Sequence, residues 1–106
     1  MKLVLVCYSG SSASILRDRM LAWARANLLD VEIIVSSLAG LDEDKEDADI
    51  VLVGPQVRCA LASVRERVPE RIPVMAVDTR DYGMAKGDRV MQAALDEIRQ
   101  YKEHKI

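Results

Sequence analysis

Val4-Leu5-Val6-Cys7-Tyr8-Ser9-Gly10-Ser11-Ser12-Ala13-Ser14 joins an apolar, β-branched run to a cysteine, then to glycine and hydroxyl residues, before a helical pattern begins. The run from Lys2 to Val6 reads as a short strand of a parallel sheet, buried on both faces. A strand ending at Cys7, with a helix opening near Ser11 or Ser12, aims free backbone N–H groups and the positive end of a helix dipole at the sulfur. That arrangement favours thiolate, and it cradles a tetrahedral anion attached to the sulfur or lying beside it.

Working outward, Leu16, Met20, Trp23, Ala24 and Leu28 recur at helical spacing and predict a helix from Ser12 to about Leu28, with Met20 and Trp23 packed in the core. Val31 to Val35 gives a second strand, broken by Ser36 to Gly40. The charge run Asp42 to Asp49 is too short for a free-standing helix and reads as a short solvated element between strands. Ile50 to Val53 is a third buried strand, which Gly54-Pro55 ends sharply. Val57, Leu61, Val64 and Val68 then form a helical stripe that Pro69 stops. Pro73 opens a fourth strand, Val74 to Val77, and a loop over residues 79–87 leads to a last helix carrying Val90, Met91, Ala94, Leu95, Ile98 and Tyr101 on one side.

Strand and helix alternate four times, which predicts one α/β domain over residues 1–106: a four-stranded parallel sheet with helices on both faces. If strand one is central, the order is 2-1-3-4, and the topological switch falls between strands one and three. Ligands bind beyond the carboxyl ends of the strands at such a switch. Cys7 and the Gly54-Pro55-Gln56 turn then lie side by side, with Asp78 one strand further along.

Composition narrows the chemistry. The chain has 106 residues, half of them hydrophobic, and its 15 basic and 17 acidic residues leave a net charge of −2 with no basic block, which argues against nucleic-acid binding. Lys2 followed by Leu3 to Val6 is too short for a signal-peptide core or a membrane span, so a cytoplasmic protein with no direct membrane insertion is expected. The two cysteines, Cys7 and Cys59, form no CxxC pair, and the single histidine, His104, lies in a charged tail. No metal site and no cofactor are expected, and Cys59 reads as a small buried hydrophobe.

A cysteine ahead of an anion-binding loop admits three chemistries. Small cysteine phosphatases use C-x5-R, in which the arginine clamps the phosphoryl oxygens and a remote aspartate protonates the leaving group. Asp78 and Asp81 are candidate acids, but the arginine position is Ala13. Thiol redox or arsenate reduction needs a resolving thiol, for which Cys59 is the one candidate. A phosphoryl carrier instead needs a polar, uncharged cradle that stores a thiophosphate without hastening its hydrolysis. Ser9, Gly10, Ser11, Ser12 and Ser14 supply residues of that kind.

Three motifs in register carry a family resemblance over nearly the whole chain. Cys7-Tyr8-Ser9-Gly10-Ser11-Ser12-Ala13-Ser14 after the first strand, Val53-Gly54-Pro55-Gln56 after the third, and Asp78, Tyr82, Gly83, Gly87 and Val90 after the fourth resemble the IIB component of the lactose/cellobiose class of the bacterial phosphoenolpyruvate-dependent sugar phosphotransferase system. The resemblance implies that Cys7 is phosphorylated by a phosphohistidine on a IIA partner and passes the group to a sugar, a β-linked disaccharide being the candidate, bound by the membrane component IIC. It implies that the segment Tyr8, Ser9, Gly10, Ser11, Ser12, Ala13 and Ser14 binds the phosphate through its amides. Gln56, Arg58, Asp78 and Tyr82 are accessory candidates; Arg58 reads either as an offset for phosphate charge during docking or, equally, as a solvated arginine on the helix after strand three. The chain departs from the family pattern at Ala13, where threonine is usual, at Ser11, where methionine is usual, at Tyr8, where serine is common, and at Cys59, which replaces a common aromatic. A degenerate carrier that docks a partner but transfers poorly has the same signature.

Overall fold

Uninterrupted β-branched and leucine residues leave the strands no polar face to turn to solvent, so both faces must be covered. In the computed structural model, which describes residues 1–7 and 10–104 without the side chains of residues 10–12, 44, 56, 58 and 104, both are covered. The chain runs β1 (Lys2–Val6), α1 (Gly10–Ala26), β2 (Glu32–Ser36), α2 (Leu41–Asp44), β3 (Ile50–Val53), a 3-10 turn (Pro55–Ala60), α3 (Leu61–Arg67), β4 (Val74–Ala76), α4 (Thr79–Gly83) and α5 (Gly87–His104). All strand pairs are parallel and the order is β2-β1-β3-β4, as the alternation of elements predicts.

The two-residue period of a strand splits the core in two. Leu3, Leu5, Cys7, Ile50 and Leu52 face one side, where they pack with Leu16 and Met20 of α1, Tyr82 of α4, and Val90, Met91, Ala94 and Ile98 of α5. Val4, Val6, Val51 and Val53 face the other, against Leu41, Ala48, Val57, Val64 and Val68. Met20 is fully buried and Trp23 packs at the edge of the first cluster. The first of these two layers is the one that receives the Cys7 side chain.

Element ends follow local chemistry. The stop of α1 has a leucine in the left-handed conformation: Leu28 has φ 58°, the Leu29 N–H donates to the Ala24 carbonyl at 2.8 Å, and the Leu28 N–H donates to the Arg25 carbonyl at 3.1 Å. This is a Schellman turn with leucine where glycine is favoured. α3 ends at Val68, which is extended as expected before Pro69. The helix expected from Val57 to Val68 is split, because Val57 leaves helical geometry (φ −116°, ψ 19°) within the 3-10 segment Pro55–Ala60 that precedes α3.

The charge run is less solvated than expected. Leu41 and Ala48, at and within its borders, are buried in the second core layer, and Asp42 accepts from Lys45 Nζ and Arg67 Nη2, each at 3.2 Å. Lys45 also donates to the Arg67 carbonyl, tying α2 to the end of α3. At the sheet edge the Val74 carbonyl of β4 receives Arg65 Nη2 at 3.2 Å, which caps an acceptor that would otherwise invite another strand.

Candidate functional site around Cys7

β1 sits between β2 and β3, so the residue after its last paired position is framed on both sides. The Cys7 N–H donates to the Ser36 carbonyl at the end of β2, and the Gly54 N–H donates to the Val6 carbonyl, both at 2.9 Å. Cys7 and the Gly54 turn are therefore side by side, as the strand order predicts. The Val77 N–H donates to the Val53 carbonyl at 2.9 Å, which sets the end of β4 and Asp78 one strand further along. Ser36, buried beside Cys7, was not singled out by the sequence. Its signal is only a small polar residue closing a β-branched run.

Cys7 is a fixed, enclosed group. Its side chain is 3% exposed and belongs to the packed layer beneath α1 and α5. The expectation of a resting thiolate is not met: burial pushes the Cys7 thiol above its ordinary value, because an apolar surround penalises the charged form.

α1 starts at Gly10, earlier than the predicted Ser11 or Ser12. Gly10, Ser11, Ser12, Ala13 and Ser14 are thus helical rather than part of a loop. The amides of a first helical turn lack intrahelical acceptors, and this turn contains no acidic residue to compete with an anion for them. Ala13 is fully buried in the cluster that contains Cys7, and Ser14 is half-buried. Tyr8 and Ser9 lie outside the described residues.

The accessory candidates divide. Gln56 and Arg58 lie in the 3-10 turn that follows Gly54, and their side chains are outside the described set. Asp78 is the N-cap of α4: its carboxylate accepts from the Arg80 N–H at 2.9 Å and the Asp81 N–H at 3.0 Å. Asp81 pairs with Arg89 Nε at 3.4 Å. Tyr82 is buried in the Cys7 cluster. The segment predicted as a loop over residues 79–87 therefore holds a one-turn helix, which Asp78 opens as an N-cap with Asp81 three residues on.

Cys59 corrects a second expectation, since it is exposed rather than buried. It lies just after Val57, whose side chain packs in the layer opposite the one that holds Cys7. A redox pair of the two thiols gains no support from that arrangement. Among the described residues no cluster of three or more metal-ligating side chains occurs, and no helix is long and apolar enough to cross a membrane.

Comparisons with known proteins agree on one assignment. The chain is similar to the galactose-specific EIIB component of the PTS system of Lactococcus lactis subsp. cremoris, 33% identical over 98 residues covering 87% of this chain and 91% of that protein. It is also similar to the oligo-beta-mannoside-specific EIIB component of Bacillus subtilis, 33% identical over 95 residues covering 89% and 92%. The solution structure of a cellobiose-specific IIB component from Borrelia burgdorferi superposes with a TM-score of 0.80 at 29% identity, covering 95% and 94%. A lactose-specific IIB domain from Streptococcus pneumoniae shares the fold, with a TM-score of 0.76 at 17% identity over 92% of this chain and 96% of that one. With residues 2–93 matching the family described as the lactose/cellobiose-specific IIB subunit of the PTS system, the chain belongs to that family and is a phosphotransferase component of sugar uptake.

Proposed function

We propose that this chain is a phosphoryl carrier in which Cys7 accepts a phosphoryl group from a phosphohistidine on a IIA partner and delivers it to a sugar held by the membrane component IIC. The observation that carries the reading is the position of Cys7: at the carboxyl end of the central strand, hydrogen-bonded to the end of β2 and flanked by the Gly54 turn, three residues ahead of a helix whose first turn holds no acid. Positioning and amide donors are what an in-line phosphoryl transfer asks of a protein.

The chemistry balances without an added acid or base. Sulfur attacks phosphorus, the P–S bond forms as the P–N bond breaks, and the thiol proton ends on the released imidazole. In the second step the sugar hydroxyl attacks the phosphocysteine, its oxygen takes the phosphoryl group, and the proton returns to sulfur. A thiol that burial keeps protonated at rest thus has a destination for its proton once the donor histidine is in place. Reaction with other electrophiles is disfavoured until then.

The phosphatase and arsenate reductase readings lose ground on three counts. The arginine position is an alanine sealed in the core, Asp78 is engaged as a helix cap, and Asp81 is paired with Arg89. Relatives of equal identity carry three different sugar names, galactose, cellobiose and oligo-beta-mannoside, so the sugar is proposed as a β-linked saccharide, with its choice resting largely on IIC. The relay places the protein in the cytoplasm, between IIA and the membrane. A reconstituted system of phosphorylated IIA, this protein and IIC-containing vesicles tests the reading. Sugar phosphate should form with the wild type and not with Cys7→Ser, whereas equal yields from both would contradict it.

A further inference from the structure

In a parallel ladder the hydrogen bonds are evenly spaced, and a strand turns the same side to a given neighbour at every second residue. Along the β1–β2 edge the Glu32 N–H donates to the Met1 carbonyl at 2.8 Å, and the last rung among the described residues is the Cys7 N–H to the Ser36 carbonyl at 2.9 Å. One rung further on, the same register would pair the N–H of residue 9 with the Leu38 carbonyl. That carbonyl is already taken: Arg67 Nη2, at the end of α3, donates to it at 2.9 Å.

The contacts around Leu38 all turn β2 aside at this point. The hydroxyl of Ser36, buried beside Cys7, donates to the Ser37 carbonyl at 3.1 Å, and the Gly40 N–H donates to the Ser37 hydroxyl oxygen at 3.1 Å. Residues 38–40 form a turn into α2, where Asp42 holds the Arg67 guanidinium at 3.2 Å. An amide bound into a ladder has no hydrogen left for an anion, and a cradle without cationic side chains depends on free amides. We propose that Arg67 and the Ser36–Ser37 turn are a ladder stop: positioning residues that hold the β2 carbonyls off the segment after Cys7 and so keep its amides for the phosphoryl group. This inference rests on the carrier reading above.

The test removes both holds on the turn in Ser37→Ala/Arg67→Met. Arg71→Met is the matched control, since Arg71 Nη2 donates to the Glu46 carbonyl at 3.3 Å, away from this turn. Phosphoryl acceptance from phosphorylated IIA should slow about two- to tenfold, the worth of one hydrogen bond of ordinary strength. Hydrogen exchange of the Ser9 amide, followed by NMR, should slow by a similar factor as that amide gains a ladder partner. Simple loosening of the fold would speed exchange, so the sign separates the two effects. Arg71→Met should match the wild type in both measurements. Arg67→Met alone should move both rates the same way by less, and it carries the test if the double variant fails to fold. An unchanged or faster Ser9 exchange, or acceptance that falls as far in Arg71→Met, would show these contacts to be structural only and overturn the inference. The exchange arm needs no partner, so it judges the ladder stop even if wild-type protein takes no label from IIA, a result that would instead remove the carrier reading.

Discussion

Gly87, the first residue of α5, lies against the backbone of Arg19 in α1: a Cβ at position 87 would stand 2.5 Å from the Arg19 carbonyl carbon and 2.6 Å from the Met20 nitrogen. The atoms in the way are mostly main chain and cannot swing aside. This contact sets how closely α1 and α5 approach over the layer that holds Cys7. Gly87→Ala should therefore destabilise the protein by about 1–3 kcal/mol, the usual range for overpacking. Urea unfolding followed by the fluorescence of Trp23, the single tryptophan, measures it. An unchanged midpoint would mean the helices separate at no cost.

The left-handed leucine at the end of α1 gives the opposite sign. Leu28 is 94% exposed, so removing its side chain forfeits almost no packing, and its positive φ carries a penalty that glycine does not. Leu28→Gly should stabilise by about 0.5–1 kcal/mol, after allowance for the greater freedom of glycine in the unfolded chain. Ala85, with φ 51° at the end of α4, should respond in the same direction.

Acid should loosen the tie between α2 and α3. Hydrogen bonds from Arg67 and then Lys45 hold the Asp42 carboxyl below its ordinary value. A carboxylate with a depressed folded-state pKa contributes stability above its unfolded value, and that contribution fades as pH falls through the folded one. The pH dependence of the unfolding midpoint on the acid side of the ordinary aspartate range should flatten in Asp42→Asn. Because Asp42 is exposed, the effect is small and should shrink further in high salt.

How far the sequence alone reaches depends on the length of the signal. Unbroken runs such as Leu3 to Val6 and Ile50 to Val53, and the stripe from Val90 to Ile98, are long enough for burial to decide their conformation, so the sheet order and the place of Cys7 follow from them. α4 escapes because its five residues give too little periodicity, and its one clear sign is the Asp78 cap. Cys59 is misread because residue type predicts burial only on average, and the kink at Val57 precedes it. The resting thiolate is misread for a different reason. Motif spacing places a helix start near the sulfur, but depth in the core layer is a tertiary property, and burial raises the pKa of Cys7. That burial carries its own expectation: alkylation of Cys7 should titrate above the range of a free thiol, whereas exposed Cys59 should react first at neutral pH. A Cys7 that outpaces Cys59 there would contradict the enclosed thiol.

The central claim is that Cys7 stores the phosphoryl group, and intact-protein and peptide mass spectrometry after mixing with phosphorylated IIA tests it most directly. The account predicts one added phosphoryl group, on the peptide containing Cys7, absent from Cys7→Ser and still formed by Cys59→Ser. A phosphoryl group on any other residue, or one retained by Cys7→Ser at the wild-type level, would contradict it.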